Sequence, residues 1–191
     1  MSGPQLQTER LTLRRWRRAD LPALAAINAD PAVMRYFPAT LTRAQSATML
    51  QRHEASFAAH GYGLWAVELS ASAELIGAVG LVDVDIDAEF APAVEVGWRL
   101  AHSFWGRGLA AEAATASLQF GFQTLELASI LAYTAAINQP SRRLMQRLGM
   151  TRDPAEDFLH PWIDAGDPLA PHVLYRIDAP LTRSASAAGC P

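Results

Sequence analysis

Residues Trp105-Gly106-Arg107-Gly108-Leu109-Ala110 set two glycines between a run of strand character, Val94 to Leu100, and an alanine-rich run of helical character that begins near Leu109. A glycine-rich turn that opens a helix is a trap for anions. The first backbone N–H groups of a helix have no partner inside it, and glycines let the preceding amides converge, so main chain alone holds a pyrophosphate. The spacing narrows the ligand. A nucleoside-triphosphatase loop needs Lys-Ser/Thr after its second glycine, where Leu109-Ala110 stands. A dinucleotide fingerprint needs a third glycine, and Ala111 meets only its looser alanine form.

With 191 residues the chain fits one domain, expected over 1–180 with a flexible tail at 181–191, and needs neither disulfide nor structural metal to bury a core. Half of the residues (50%) are hydrophobic and the net charge is −3, which leaves no global field for nucleic acid, so no DNA partner is expected. The single cysteine, Cys190, lies in the terminal segment and is neither half of a disulfide nor a catalytic thiol. His53, His60, His102, His160 and His172 show no paired ligand spacing, so no metal is expected. Met1 to Glu9 is polar, and no later apolar run is long enough to span a bilayer. The expectation is a cytoplasmic protein without a membrane partner, monomer or homodimer.

Leu11, Leu13 and Trp16 predict a first strand, and Asp20-Leu21-Pro22 starts a helix that ends near Asp30-Pro31. Ala47, Leu50, Glu54 and Phe57 predict a helix from Thr42 to about Ala59, broken by Gly61-Tyr62-Gly63. Leu64 to Leu69, Leu75 to Val84 and Ala93 to Ala101 read as an antiparallel meander. Ala110, Ala114, Leu118, Phe122 and Leu125 give the next helix an apolar stripe, and Ser129 to Ala135 is again a strand. Asn138 caps a helix with Pro140 in its first turn, Ser141, Leu144, Met145 and Leu148 on one face and Gly149 at its end. His172 to Ile177 is the last strand, and the whole is an α+β layout.

In this order, Val94-Glu95-Val96-Gly97-Trp98-Arg99-Leu100, the turn at Trp105 to Ala110, and Asn138-Gln139-Pro140-Ser141 through Leu148-Gly149-Met150 resemble the GNAT superfamily of N-acetyltransferases. The branch resembled includes the enzymes that acetylate ribosomal-protein N-termini. The resemblance runs from about Thr8 to Ile177 and implies a mixed, mostly antiparallel twisted sheet with helices on both faces. That sheet would splay between the strands ending at Leu100 and Ala135 to admit acetyl-coenzyme A. The phosphate turn of the family, Gln/Arg-x-x-Gly-x-Gly/Ala, maps onto Trp105, Gly108 and Ala110, with Gly106 and Leu109 between them. Trp105 departs from the commoner Gln or Arg but is usual in the branch, and Arg107 puts a positive charge beside the site. By the same resemblance the backbone of Trp98, Arg99 and Leu100 pairs with pantetheine, and the Asn138 side chain bonds its amide.

Acetyl transfer to an amine with a pKa of about 10.4 needs a base, because at neutral pH almost none of the amine is nucleophilic. Glu95 is the first candidate: it shares a strand face with Gly97 and Arg99, on the strand that feeds the turn, and the resemblance supports a base there, acting through water. A carboxylate paired with Arg99 on the sheet surface is its competitor. A main-chain N–H near Leu100 would stabilise charge on the carbonyl oxygen. Many family members place a thiolate-protonating tyrosine where this chain has Met145, so Ser141 is the substitute donor, unless it only caps the helix; Asn138 is open to the same capping role. Tyr36, Phe37 and Tyr62 are candidates for the acceptor wall, and His160 and His172 for the acceptor side, against plain core or structural roles.

The function expected is acetyl-coenzyme A-dependent acetylation of a primary amine, in a small molecule or at a protein N-terminus, by direct transfer. Two alternatives stay open. The missing tyrosine admits a coenzyme A-binding sensor, and Arg14-Arg15-Trp16-Arg17-Arg18 admits a ribosome- or RNA-binding module.

Overall fold

Alternating apolar residues lay down most of an eight-stranded sheet, and the helices between them cover its two faces. The computed structural model describes residues 4–180, so the expectations for 181–191 and for Cys190 lie outside the described residues. In chain order the elements are β1 (Leu6–Gln7), β2 (Leu11–Arg14), α1 (Leu21–Ala29), α2 (Pro31–Met34), α3 (Arg43–His60), β3 (Leu64–Leu69), β4 (Leu75–Asp83) and β5 (Val94–Leu100). They continue with α4 (Leu109–Gln123), β6 (Ser129–Ala135), α5 (Gln139–Arg147), β7 (Phe158–Leu159) and β8 (Pro171–Asp178). The sheet order is β1-β2-β3-β4-β5-β6-β8-β7. Every neighbouring pair is antiparallel except β5 and β6, which run parallel.

Strand alternation sorts the core. Leu11, Leu13, Val67, Val79, Leu81, Val96 and Leu100 pack with Leu109, Ala113, Ala114 and Leu118 of α4. Ala66 and Ala78 point the other way, to Trp16 and to Leu24 of α1. Helix α3 begins as the sequence predicts: the Thr42 hydroxyl accepts from the Gln45 amide at 3.2 Å, while Gln45 Oε1 accepts from the Thr42 amide at 2.8 Å. It stops at Gly61, whose φ of +79° suits a residue without a Cβ.

Three elements were not expected: β1, α2 and β7, of two, four and two residues. None is long enough to show a period. Helix α2 starts at once where α1 ends, because the Asp30 side chain accepts from the Ala32 amide at 2.8 Å and Pro31 needs no partner for its nitrogen. The stripe expected on α4 is corrected by about one residue: Leu109, Ala113, Ala114, Ser117, Leu118 and Gly121 are buried, while Ala110 and Phe122 are only partly so. The reason is close approach. A Cβ on Gly121 would lie 2.6 Å from Ile130 Cδ1 and 3.0 Å from Leu81 Cδ1, so the C-terminal end of the helix docks through Gly121 and leaves the Phe122 ring at the margin. Ser117 satisfies its buried hydroxyl by donating to the Ala113 carbonyl at 2.9 Å. Among the described residues no helix is long and apolar enough to cross a membrane.

Candidate active site

Strand β5 pairs with β4 along its whole length, from Gly77↔Leu100 to Asp83↔Val94, but with β6 only at Glu95↔Leu131. Beyond Glu95 the two parallel strands part. A groove of about 380 Å³ opens there, and Trp98, Arg99, Leu100, Trp105, Gly106, Gly108, Leu109 and Ala110 line one side of it, with Asn138 and Ser141 on the other. The Ala101 amide donates to the Ile76 carbonyl of β4 at 2.8 Å, so alternation turns the main-chain groups of Leu100 and Trp98 toward the open side. The Trp105 indole donates to the Leu100 carbonyl at 2.9 Å and fixes the strand end.

At the mouth of the groove, Gly106 and Gly108 both hold left-handed backbone, at φ +74° and +79°. Gly108 caps α4 without any side-chain acceptor, and the first α4 amide with a main-chain partner is that of Glu112, 3.1 Å from the Gly108 carbonyl. Among the described residues the amides of Leu109, Ala110 and Ala111 therefore have no acceptor, and all three residues line the groove. Arg107 is placed elsewhere: its guanidinium lies over Phe104, 5.2 Å from the ring centre, and it does not line the groove. Besides Arg99, the cations that do are Arg143 and Arg147 of α5. The sequence signal for them was available, since they sit one helical turn apart. Outside the turn, Arg10 donates to the Arg107 carbonyl at 3.0 Å and to Glu112 Oε2 at 2.7 Å, while Glu112 Oε1 accepts from Thr8 at 2.6 Å. The bend between β1 and β2 thus braces the turn from outside.

Asn138 is fully engaged locally. Its Oδ1 accepts from the Ser141 amide at 3.3 Å, and its Nδ2 donates to Thr134 Oγ1 at 2.9 Å and Ser141 Oγ at 3.0 Å. Ser141 Oγ also accepts from the Trp98 indole at 3.3 Å. With both lone pairs taken, the serine hydroxyl is left with a hydrogen to donate, and no acceptor for it occurs among the described residues. Met145 is 1% exposed and belongs to the core.

The opposite face of β5 looks onto a second cavity, of about 610 Å³, between α3 and the sheet. Glu95, Tyr133, Asp83 and Asp85 line it from the sheet side, and Met49, Arg52 and His53 from α3. Burial pushes the Glu95 carboxyl up to about 7; the nearby Tyr133 hydroxyl opposes that shift, and the charge of Asp85 adds to it. Tyr133 went unnoticed in the sequence, because its strand pairs with β5 only in three dimensions. The pair of Glu95 with Arg99 does not form: Arg99 turns to Asn28 Oδ1 at 2.8 Å. Burial and the nearby charge of Arg99 lower His53 to about 4, so it is neutral at pH 7.

The remaining candidates spread over three places. Tyr36 and Phe37 line the groove with the glycine turn, not the Glu95 cavity. Tyr62 stands behind that cavity and donates to Asp83 Oδ1 at 2.5 Å. His160 and His172 stack on each other at 4.8 Å between ring centres and flank Tyr133 at 6.3 and 6.0 Å, and burial lowers both below the usual imidazole range. No group of three or more His, Cys, Asp or Glu among the described residues is arranged to hold a metal.

The chain matches the family described as an acetyltransferase (GNAT) domain over residues 10–151. It is 28% identical over 152 residues to YoaA, an uncharacterized N-acetyltransferase of Bacillus subtilis (strain 168), across 78% of this chain and 84% of the relative. An acetyltransferase from Agrobacterium tumefaciens str. C58 superposes with a TM-score of 0.75 at 30% identity, covering 93% of this chain and 95% of that one. RimL, a ribosomal L7/L12 alpha-N-protein acetyltransferase solved with coenzyme A, shares the fold at a TM-score of 0.73 and 16% identity, over 92% of this chain and 98% of its own. That likeness of fold fits the resemblance drawn from the sequence. A family match over residues 10–151, on a sheet that parts beside a glycine turn with unsatisfied amides, makes this chain a member of the GNAT family and an N-acetyltransferase.

Proposed function

We propose that this protein transfers an acetyl group from acetyl-coenzyme A directly to a primary amine, with Glu95 as general base. The observation that carries this reading is a carboxyl poised at about 7 in a cavity beside the point where β5 and β6 part. A base is most effective when its pKa lies near the working pH. Acetyl-coenzyme A supplies an acetyl thioester; the free amides of Leu109, Ala110 and Ala111, with Arg143 and Arg147 across the groove, would hold its pyrophosphate.

Each residue then has one task. Glu95, through a water molecule, takes the proton that the acceptor ammonium must lose before its nitrogen attacks the acetyl carbonyl. The Leu100 amide faces the open side of β5 and donates to the carbonyl oxygen as negative charge develops there. Ser141 hydrogen-bonds the departing thiolate, which takes up the second proton released by the attacking nitrogen; methionine at position 145 has no hydrogen to offer. Tyr133, lining the same cavity, places a hydroxyl beside the carboxylate. The products are the N-acetylated amine and coenzyme A, and the acceptor is a small molecule or a protein N-terminus. The cytoplasm is the compartment that this chemistry implies.

Calorimetric titration with acetyl-coenzyme A, followed by thiol release with an amine panel across pH, tests the reading. Turnover should rise with pH through about 7 and lose that step in Glu95→Gln. A profile unaltered by the substitution would remove Glu95 from the mechanism. Binding without turnover of any amine would leave a cofactor sensor instead.

A further inference from the structure

Arg99 is a half-buried cation in the cleft to which the proposed chemistry assigns no side-chain task. Its Nη1 donates to Asn28 Oδ1 at 2.8 Å and lies 3.4 Å from Met49 Sδ, and the Phe37 ring covers it at 4.4 Å. Its Nε is shut from solvent and has no partner, and its Nη2 donates to no group among the described residues. Among the described residues no carboxylate pairs with it, and burial lowers the guanidinium to about 10. A guanidinium presents five N–H donors in a fork matched to two oxygens, so most of this one's capacity is unspent. Leaving a buried charge unpaired is costly, and such cost is retained where a ligand supplies the missing partner.

Its position says which ligand. Glu95 and Arg99 occupy one face of β5, four residues and so about 13 Å apart along the strand. Arg99 lines the groove, yet it rests against Met49, which lines the Glu95 cavity, and its charge lowers His53 in that same cavity. The guanidinium therefore stands where groove and cavity meet. Carboxylates of Glu95 and Asp85 occupy the far end of the cavity and favour an ammonium there.

We propose that Arg99 anchors a carboxylate of the acceptor, so that the acceptor is a small molecule of the amino-acid class, carrying a primary amine and an anionic group together. This rests on the reading of the Glu95 cavity as the acceptor site. The shared chemistry, an oxyanion on Arg99, could also come from coenzyme A, and the experiment separates the two.

Amino acids are compared, each with its own carboxamide and its own decarboxylated amine, as acceptors for the wild-type protein and for Arg99→Gln and Arg99→Lys. The readouts are kcat/KM from thiol release and calorimetric binding of the same compounds to protein saturated with coenzyme A. The wild type should prefer the carboxylate member by at least about tenfold. Arg99→Gln should collapse that ratio toward one, through KM, with the Kd for acetyl-coenzyme A within about twofold of wild type, and Arg99→Lys should keep part of it. Equal handling of each pair by the wild type, which needs no variant, overturns the proposal. So does a ratio that survives Arg99→Gln while acetyl-coenzyme A binding weakens, since the oxyanion then belongs to the cofactor. If nothing is turned over but carboxylate compounds still bind in an Arg99-dependent way, the anchor stands and the base reading fails; if none bind, the anchor fails.

Discussion

Arg14, buried on β2, and Arg99, half-buried on β5 with its Nε shut from solvent, are both arginines on strands, and their surroundings are opposite. Arg14, on β2, is 5% exposed and is gripped by both oxygens of Asp20, at 2.7 and 2.8 Å, and by Glu68. Burial alone would lower its pKa, but the two carboxylates outweigh that and raise it. Arg99, on β5, has one amide oxygen and a sulfur, and its pKa falls to about 10. The first charge is satisfied by the fold itself. The second, with the raised carboxyl of Glu95 on the same strand face, is left in deficit at the cleft, the deficit that the proposed binding and chemistry would use.

That difference is testable from its strongest consequence downward. Glu95→Gln should lower kcat by about 10²–10⁴-fold at pH 8, measured by thiol release against the best acceptor found. Arg14→Met should leave the rate per folded molecule unchanged but lower unfolding free energy by about 3–5 kcal/mol in urea titration, because Asp20 and Glu68 stay buried without their partner. If instead Arg14→Met cost activity alone, the division between the two regions would be wrong.

The next test uses pH. The folded pKa of Glu95, about 7, lies above its ordinary 4.5, so the native state favours the protonated acid. The stability this contributes is complete below pH 4.5 and is lost as pH rises through about 7. Glu95→Gln, which mimics the neutral acid at every pH, should therefore match wild type near pH 4 and exceed it at pH 8 by an amount on the order of 3 kcal/mol. Thermal unfolding at the two pH values checks this, and a variant no more stable at pH 8 would mean the carboxyl is not held in deficit. Smallest in effect, Ser141→Ala should slow turnover by about tenfold and leave it measurable, since a hydrogen bond to a leaving thiolate assists departure without being indispensable. A rate equal to wild type would reduce Ser141 to the cap it makes with Asn138.

Much of the fold was legible along the chain because it rests on local rules. The bounds of β3 and β6 coincide with the branched runs Leu64 to Leu69 and Ser129 to Ala135, and Thr42 and Gly61 mark the ends of α3 by capping chemistry alone. The α4 stripe was misplaced because that helix is apolar on most sides, and only the sheet, pressing Ile130 and Leu81 toward Gly121, selects the face. Tyr36 and Phe37 were expected at the acceptor wall; the packing of α2 sets them in the groove.

The sequence by itself determined the order of all but the shortest strands and helices, the glycine turn at Gly106 and Gly108 that opens α4, and a carboxylate at Glu95 on the strand feeding it, because periodicity, turn conformation and strand alternation act over a few neighbouring residues. Only the tertiary structure decided that Tyr133 stands beside Glu95, that Arg143 and Arg147 face the turn, and that Arg99 is half-buried with no carboxylate partner among the described residues. Desolvation and charge pairing depend on what distant segments bring to the same place, and no stretch of the chain carries that information alone.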